Sequence, residues 1–231
     1  MIRWDGPDPY VVAFTTRRGG VSEGPYESLN LGLLTEDQPA NVEENRRRAC
    51  AAVGADSASL AMNRQVHAAT VNRAVAGERG RPGDGLWTEE PGVPMLKVTA
   101  DCLPVALARS NGRPALAVLH AGRLGLLEGI VEAGVAALGG PAVAVIGPGI
   151  GPCCYEVGDD IRGAFTKRFG SDVVCGRNLD LWRACELALL ESGVKHVERT
   201  DLCTACNPGL FFSHRRDGGV TGRQGVIAYL A

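Results

Sequence analysis

The feature that most constrains the fold is a series of short, β-rich apolar runs punctuated by glycine and proline. Residues 11–16, 60–66, 95–99, 105–108, 115–119, 142–146 and 225–230 all read as strands. Several follow one another with no helix between them, which argues against regular βαβ winding. The pattern points instead to an α+β architecture of sheet layers with flanking helices.

Three helices are marked. Leu127, Ile130, Val131, Gly134, Val135 and Leu138 recur at helical spacing with Glu128 and Glu132 on the other side, and Gly139-Gly140-Pro141 closes the segment. Asp180 is placed to cap a helix over 181–192, with Gly193 as its stop. A third helix is expected over 39–53, opened by Pro39 and ended by Gly54. No repeat or linker-like segment interrupts the 231 residues, so a single domain over 1–231 is expected.

Composition removes several function classes. Hydrophobic residues at 45% and charged residues at 22% are globular values. The 24 basic and 26 acidic side chains nearly balance, so no global field favours nucleic acid or an anionic membrane surface. Asp5 and Asp8 stand where a secretory leader would need apolar residues, and the longest uncharged run, 133–155, is dense in glycine and proline. A soluble, cytoplasmic protein is expected, in which the eight cysteines are buried, metal-binding or catalytic rather than disulfide-bonded.

The chemistry gathers where strands end. His67 follows the run containing Leu60, Met62 and Val66, Cys102 sits in TADCLP, and His120 ends LAVL. One thiolate and two imidazoles can hold Zn²⁺ with a fourth tetrahedral position open, the pattern of a catalytic rather than a structural site. Cysteine with two histidines also describes a blue-copper centre, but Met1, Met62 and Met95 all precede Cys102, where an axial methionine would be sought after it. Zinc therefore ranks above copper. For each residue taken singly, burial as an ordinary core side chain is the competing reading.

The ordered strings NRQVHAATV, DGLWT, TADCLPV, HAG, IGPGIGPCCYEVG and FFSHRRDGGVTGR, preceded by FTTRRGGVS and SLNLG, resemble the YfiH-like, laccase-domain family related to multicopper polyphenol oxidases. The resemblance covers nearly the whole chain. It implies a layered αββα-type sandwich with mixed sheets and flanking helices. It also implies purine nucleoside phosphorylase activity, accompanied by adenosine deaminase and methylthioadenosine phosphorylase activity, on purine nucleosides and phosphate. The family's metal ligands and catalytic residues fall on His67, Cys102 and His120.

Further residues carry two readings each. Arg17, before Gly19-Gly20, is placed to hold phosphate or to sit in a surface turn. Asn30 binds a ligand or holds a turn, and Asp101 orients a ligand histidine, serves in proton transfer or caps a loop. His214, Arg215 and Arg216 add to an anion site or form a polar turn; Cys203 and Cys206 form a C-x-x-C that carries redox or metal chemistry or, with no second C-x-x-C, a structural role, and Cys153-Cys154 read as structural. The family's HAGWRG reads HAGRLG here, with Arg123 at the tryptophan and Leu124 at the arginine, which bears on substrate contacts but not on the metal set. Other classes stay open: an amide hydrolase of cell-wall precursors with Cys102 as nucleophile, a copper polyphenol oxidase, and a metal-binding protein without turnover.

Overall fold

The computed structural model describes residues 1–231. In chain order its elements are β1 (Ile2–Arg3), β2 (Tyr10–Phe14), α1 (Pro39–Val53), β3 (Ala61–Arg64), β4 (Val71–Arg73), β5 (Arg79–Pro82), β6 (Gly85–Thr88), β7 (Met95–Thr99), β8 (Leu103–Arg109) and β9 (Leu116–Ala121). There follow α2 (Arg123–Glu128), α3 (Ile130–Leu138), β10 (Ala142–Ile146), α4 (Asp159–Phe169), β11 (Val174–Cys175), β12 (Asn178–Leu179), α5 (Leu181–Glu191), β13 (His196–Arg199) and β14 (Gln224–Leu230).

Two six-stranded mixed sheets form the middle layers, ordered β1-β2-β14-β7-β3-β5 and β13-β10-β8-β9-β6-β4. In the first, β14 runs antiparallel to β2 and β7, while β3 runs parallel to β5 and β7. In the second, β8 and β9 are antiparallel, while β10 with β13 and β4 with β6 are parallel.

Alternation along each strand assigns the layers, because successive side chains leave opposite faces. On β2, Val12 and Phe14 enter the core between the sheets and Ala13 packs with Ala49, Cys50 and Val53 of α1. On β8, Ala106 and Ala108 face the first sheet, whereas Val105 and Leu107 pack with Ile130, Val131 and Leu189 of the helices. The order is therefore α1, sheet, sheet, then α2 to α5: an αββα sandwich, as the resemblance implies. Strands β8 and β9 are buried on both faces, which is why they read as unbroken apolar runs.

The helix starts and stops follow the sequence reasoning in two cases. Asp180 accepts a hydrogen bond from the Arg183 N–H at 2.9 Å, and Gly54 ends α1 at φ 80°. The helix expected over 127–138 is different. Gly129 adopts φ 91°, which splits it into α2 and α3 while leaving Ile130, Val131, Gly134 and Leu138 buried as the stripe requires. Helix α4 and strands β1, β4, β5, β6, β11, β12 and β13 are additional to the expected set; α4 buries only Phe165 and Phe169, too short a stripe to announce itself. The uncharged stretch at 133–155 divides into α3, β10 and a turn, and no helix is long and apolar enough to cross a membrane.

Leu107 is fully buried where β8 meets the helical layer. Leu107→Ala should lower the free energy of unfolding by about 2–5 kcal/mol, read from urea denaturation. A loss under about 1 kcal/mol would mean that this layer collapses around the void.

Candidate metal centre

The loops that leave β3, β7 and β9 meet at one end of the sandwich. His67 lies in the bend after β3, Cys102 between β7 and β8, and His120 near the end of β9. The structure brings all three together: their ligand atoms lie within 4.8 Å of one another, and the two imidazoles meet edge to face with centroids 4.8 Å apart.

One carboxylate arranges both histidines. Asp84, fully buried just before β6, accepts from the main-chain N–H groups of Val66 (3.0 Å), His67 (3.0 Å) and Ala68 (2.9 Å) and contacts His120 Nδ1 at 2.8 Å. His67 has φ 62°, a left-handed conformation that costs a residue with a side chain, and these three amide bonds hold it there. With Nδ1–H donated to Asp84, His120 is left with its Nε2 lone pair for a metal.

Burial opposes ionisation of Asp84, but the bonds from His120, Ala68 and Val66 outweigh it and hold the carboxyl down at about 2. Because the folded-state value is depressed, this contribution to stability is complete above the ordinary aspartate range and is lost as pH falls toward 2. Burial lowers the pKa of His120 against the pull of Asp84, favouring the neutral, ligating imidazole. The Cys102 thiol is pushed up to about 12 by burial, with the Asp101 charge adding to the rise. Only a bound cation would make that thiol a ready thiolate.

The residues fit a metal ion on two counts. One sulfur and two imidazole nitrogens are a zinc donor set with a vacancy. Gly122 supplies the clearance: a Cβ there would stand 2.9 Å from Cys102 Sγ and 3.2 Å from His67 Cδ2, so a side chain would intrude between the ligands.

The centre opens into a cleft of about 590 Å³, a size that takes a small molecule. Its wall carries Arg46, Arg64, Arg79 and Arg223; Glu43 pairs with Arg46 (2.8 Å) and Arg79 (2.9 Å), which leaves Arg64 and Arg223 without a carboxylate partner and able to face an anion. Thr99 lines it too, with a buried hydroxyl that has no partner within the protein. Behind the site, Lys97 is fully buried on β7 with its ammonium unpartnered; burial lowers its pKa to about 7, opposed by the charge of Asp84.

Of the remaining sequence candidates only His214 lies on this wall. Arg17 donates to the carbonyls of Glu27 (2.7 Å) and Pro208 (3.1 Å) and stacks over Phe212, while the Gly20 N–H is taken by Ser28 Oγ. Its Nε and Nη1 thus brace two loops, and it stands outside the cleft wall. Asn30 is buried and fully used: its amide donates to Thr35 and Asp37, and its oxygen accepts from the N–H groups of Gly32 and Arg223. It holds the turn that backs Arg223.

Asp101 touches neither histidine. It accepts from Thr204 Oγ1 (2.6 Å) and the Arg215 N–H (2.7 Å), so the orienting role expected of it belongs to Asp84. Arg123 and Leu124 are exposed at the start of α2, outside the cleft wall. Of the HRR run, His214 lines the cleft, whereas Arg216 is tied to Asp217 and to the carbonyls of Thr204 and Phe211.

An αββα sandwich with a Cys/His₂ centre at the strand ends defines a class, and the sequence places the chain within it. Residues 11–231 match the family described as multi-copper polyphenol oxidoreductase laccase, and the chain belongs to that family. A purine nucleoside phosphorylase of Pseudomonas aeruginosa is 37% identical over 98% of this chain and 96% of its own. Purine nucleoside phosphorylase YfiH of Escherichia coli is 35% identical over 99% and 97%. The crystal structure of YlmD from Geobacillus stearothermophilus superposes with a TM-score of 0.90 at 32% identity, covering 96% of this chain and 92% of that one.

Asp84→Asn keeps the size of the side chain but removes its charge. Zinc affinity, read by competition with a chromophoric chelator, should fall about 10- to 100-fold with the circular dichroism spectrum unchanged. Unaltered affinity would show that the ligands need no such support.

Proposed function

We propose that this chain is a zinc-dependent purine nucleoside phosphorylase, one catalytic domain over 1–231 that works in the cytoplasm on a purine nucleoside and inorganic phosphate. The observation that carries the reading is a three-ligand centre opening into a cleft whose only formally charged side chains are arginines. The names of the relatives support the substrate class. Adenosine deaminase and methylthioadenosine phosphorylase activities belong to the same proposal, since both act on ligands of the same shape.

In phosphorolysis a phosphate oxygen bonds to C1′ as the C1′–N9 bond breaks, and the purine leaves with the electron pair and takes up a proton. Positive charge develops on the sugar, so the anion must be held close to it and water kept out. Arg223 is the best-placed holder, because Thr221 and Gly222 carbonyls fix its Nη1 and Asn30 fixes its main chain. Arg46, whose Nε and Nη2 donate to the Leu31 carbonyl and whose Nη1 pairs with Glu43 at 2.8 Å, is a buried brace beside the cleft. Thr99 offers its unpartnered hydroxyl to the nucleoside. Zinc held by His67, Cys102 and His120 would supply Lewis acidity at its open position.

The other classes find less support. The Cys102 thiol at about 12 is the reverse of an activated nucleophile, which weighs against the amide hydrolase. The chain has four histidines, two of them in this centre, His196 exposed on β13 and His214 on the cleft wall, which leaves no second group of imidazoles for further copper. A metal-binding protein without turnover would not need an arginine-lined cleft.

Inosine with phosphate should yield hypoxanthine and ribose 1-phosphate, followed by chromatography and ³¹P NMR, with no base released when phosphate is omitted. Arg223→Gln should raise KM for phosphate at least tenfold, about 1.4 kcal/mol. Arg17→Gln should leave that KM within about twofold, a difference of roughly 0.4 kcal/mol. Base release that ignores phosphate, or the reverse ranking of the two arginines, would contradict the reading.

A further inference from the structure

A second group of soft ligands lies apart from the cleft. Cys153 and Cys154 lie in the turn at 152–154, and Cys203 and Cys206 stand on the segment between β13 and β14. Nearly fifty residues separate the pairs, yet their four Sγ atoms all lie within 4.8 Å of one another. Cys206 Sγ is 3.5 Å from Cys153 Sγ and 3.4 Å from Cys154 Sγ. We infer that Cys153, Cys154, Cys203 and Cys206 form a closed tetrahedral site for one structural Zn²⁺, separate from the centre in the cleft.

Sulfur spacing carries the assignment. Zn–S bonds of about 2.3 Å place the four sulfurs of a regular tetrahedron roughly 3.8 Å apart. The observed separations sit near that edge length and well beyond the roughly 2.05 Å of a disulfide, and all eight cysteines are unbonded. An iron–sulfur cluster puts its own irons and sulfides between the thiolates and needs a wider cage. Four soft thiolates in tetrahedral array select zinc among the common divalent ions. The Gly151 N–H donates to Cys203 Sγ at 3.3 Å, the kind of amide contact that supports a metal-bound thiolate.

The position gives the ion a task. Residues 200–223, between β13 and β14, contain no helix or strand, a stretch beyond the roughly 12–15 residues above which such connections are uncommon. That segment presents His214 and Arg223 to the cleft, and its Thr204 donates to Asp101, the neighbour of Cys102. Two main-chain hydrogen bonds join it to Gly149, Gly149 N–H to Leu202 O at 3.3 Å and Thr204 N–H to Gly149 O at 3.0 Å. A Cys₄ zinc would fasten 203–206 to 153–154 and so fix one wall of the cleft. Four protein ligands leave no vacancy, so this ion would be structural, in contrast to the three-ligand centre.

Metal analysis of protein purified from zinc-supplemented cells, without chelator, tests the site. Cys206→Ser and, separately, Cys153→Ser should each contain one zinc fewer per chain than the unaltered protein and unfold at a lower temperature. Cys175→Ser, an exposed cysteine outside the cluster, should match the unaltered protein. The difference of one ion is independent of what occupies the cleft, which Cys102→Ala reports separately. Should the serine variants not fold, alkylation of the intact protein with iodoacetamide decides. Zn²⁺ should protect Cys153, Cys154 and Cys206 at least tenfold relative to the metal-free reduced protein, while Cys175 reacts alike in both. Unchanged zinc content in both variants, equal alkylation with and without Zn²⁺, or a disulfide within the four in zinc-loaded protein would overturn the assignment.

Discussion

The site depends on one buried carboxylate. Asp84 takes the amide protons of Val66, His67 and Ala68 and faces Nδ1 of His120, so a single side chain sets the backbone of one ligand and the ring of the other. A buried ion pays a large desolvation cost unless hydrogen bonds replace water, and four donors do so here. The His120 N–H in turn donates to the Asp84 carbonyl at 2.8 Å, which locks the end of β9 against the turn before β6. Strain at His67 and order at His120 are thus two consequences of one interaction.

Sheet stacking puts that carboxylate where it is needed. Strand β6 pairs with β9 in the second sheet, whereas β3 and β7 belong to the first, so the ligands come from both sheets and meet only where the layers end together. Close approach requires small residues at the contact: Gly122 between Cys102 and His67, and Gly85, whose Cβ would lie 2.6 Å from Val71 Cγ2. Lys97 stands buried behind the site, where desolvation pulls its pKa down to about 7 against the opposing charge of Asp84.

Much of this is legible in the sequence. The three candidate ligands stand at strand-to-loop junctions, where His120 ends the run LAVL, and the family motifs single them out. The layered α+β architecture follows from strands that succeed one another without helices. Asp84 is different: it stands in plain view in DGLWT, but its partners are main-chain amides that no spacing rule reveals, so orientation was sought at Asp101, the acid next to Cys102. Arg17 looked like a phosphate residue because Gly19-Gly20 follows it, yet long-range carbonyls capture its guanidinium. Arg46 and Arg223 reach the cleft from a helix and a loop far apart in the chain, and the alternation that buries Lys97 within MLKVT becomes visible only when both sheets are in place. The four-cysteine cluster was hidden for the same reason: its two halves meet through tertiary structure alone.

The most direct test of the central role of Asp84 is the protonation state of His120. Long-range ¹H–¹⁵N correlation spectra of the zinc-loaded protein, assigned with a His120→Gln variant, should show His120 with a protonated, hydrogen-bonded Nδ1 and a metal-bound Nε2. Asp84→Asn should disturb that pattern and broaden the His67 ring signals as well. A His120 bound through Nδ1, or one whose tautomer is indifferent to Asp84, would contradict the account.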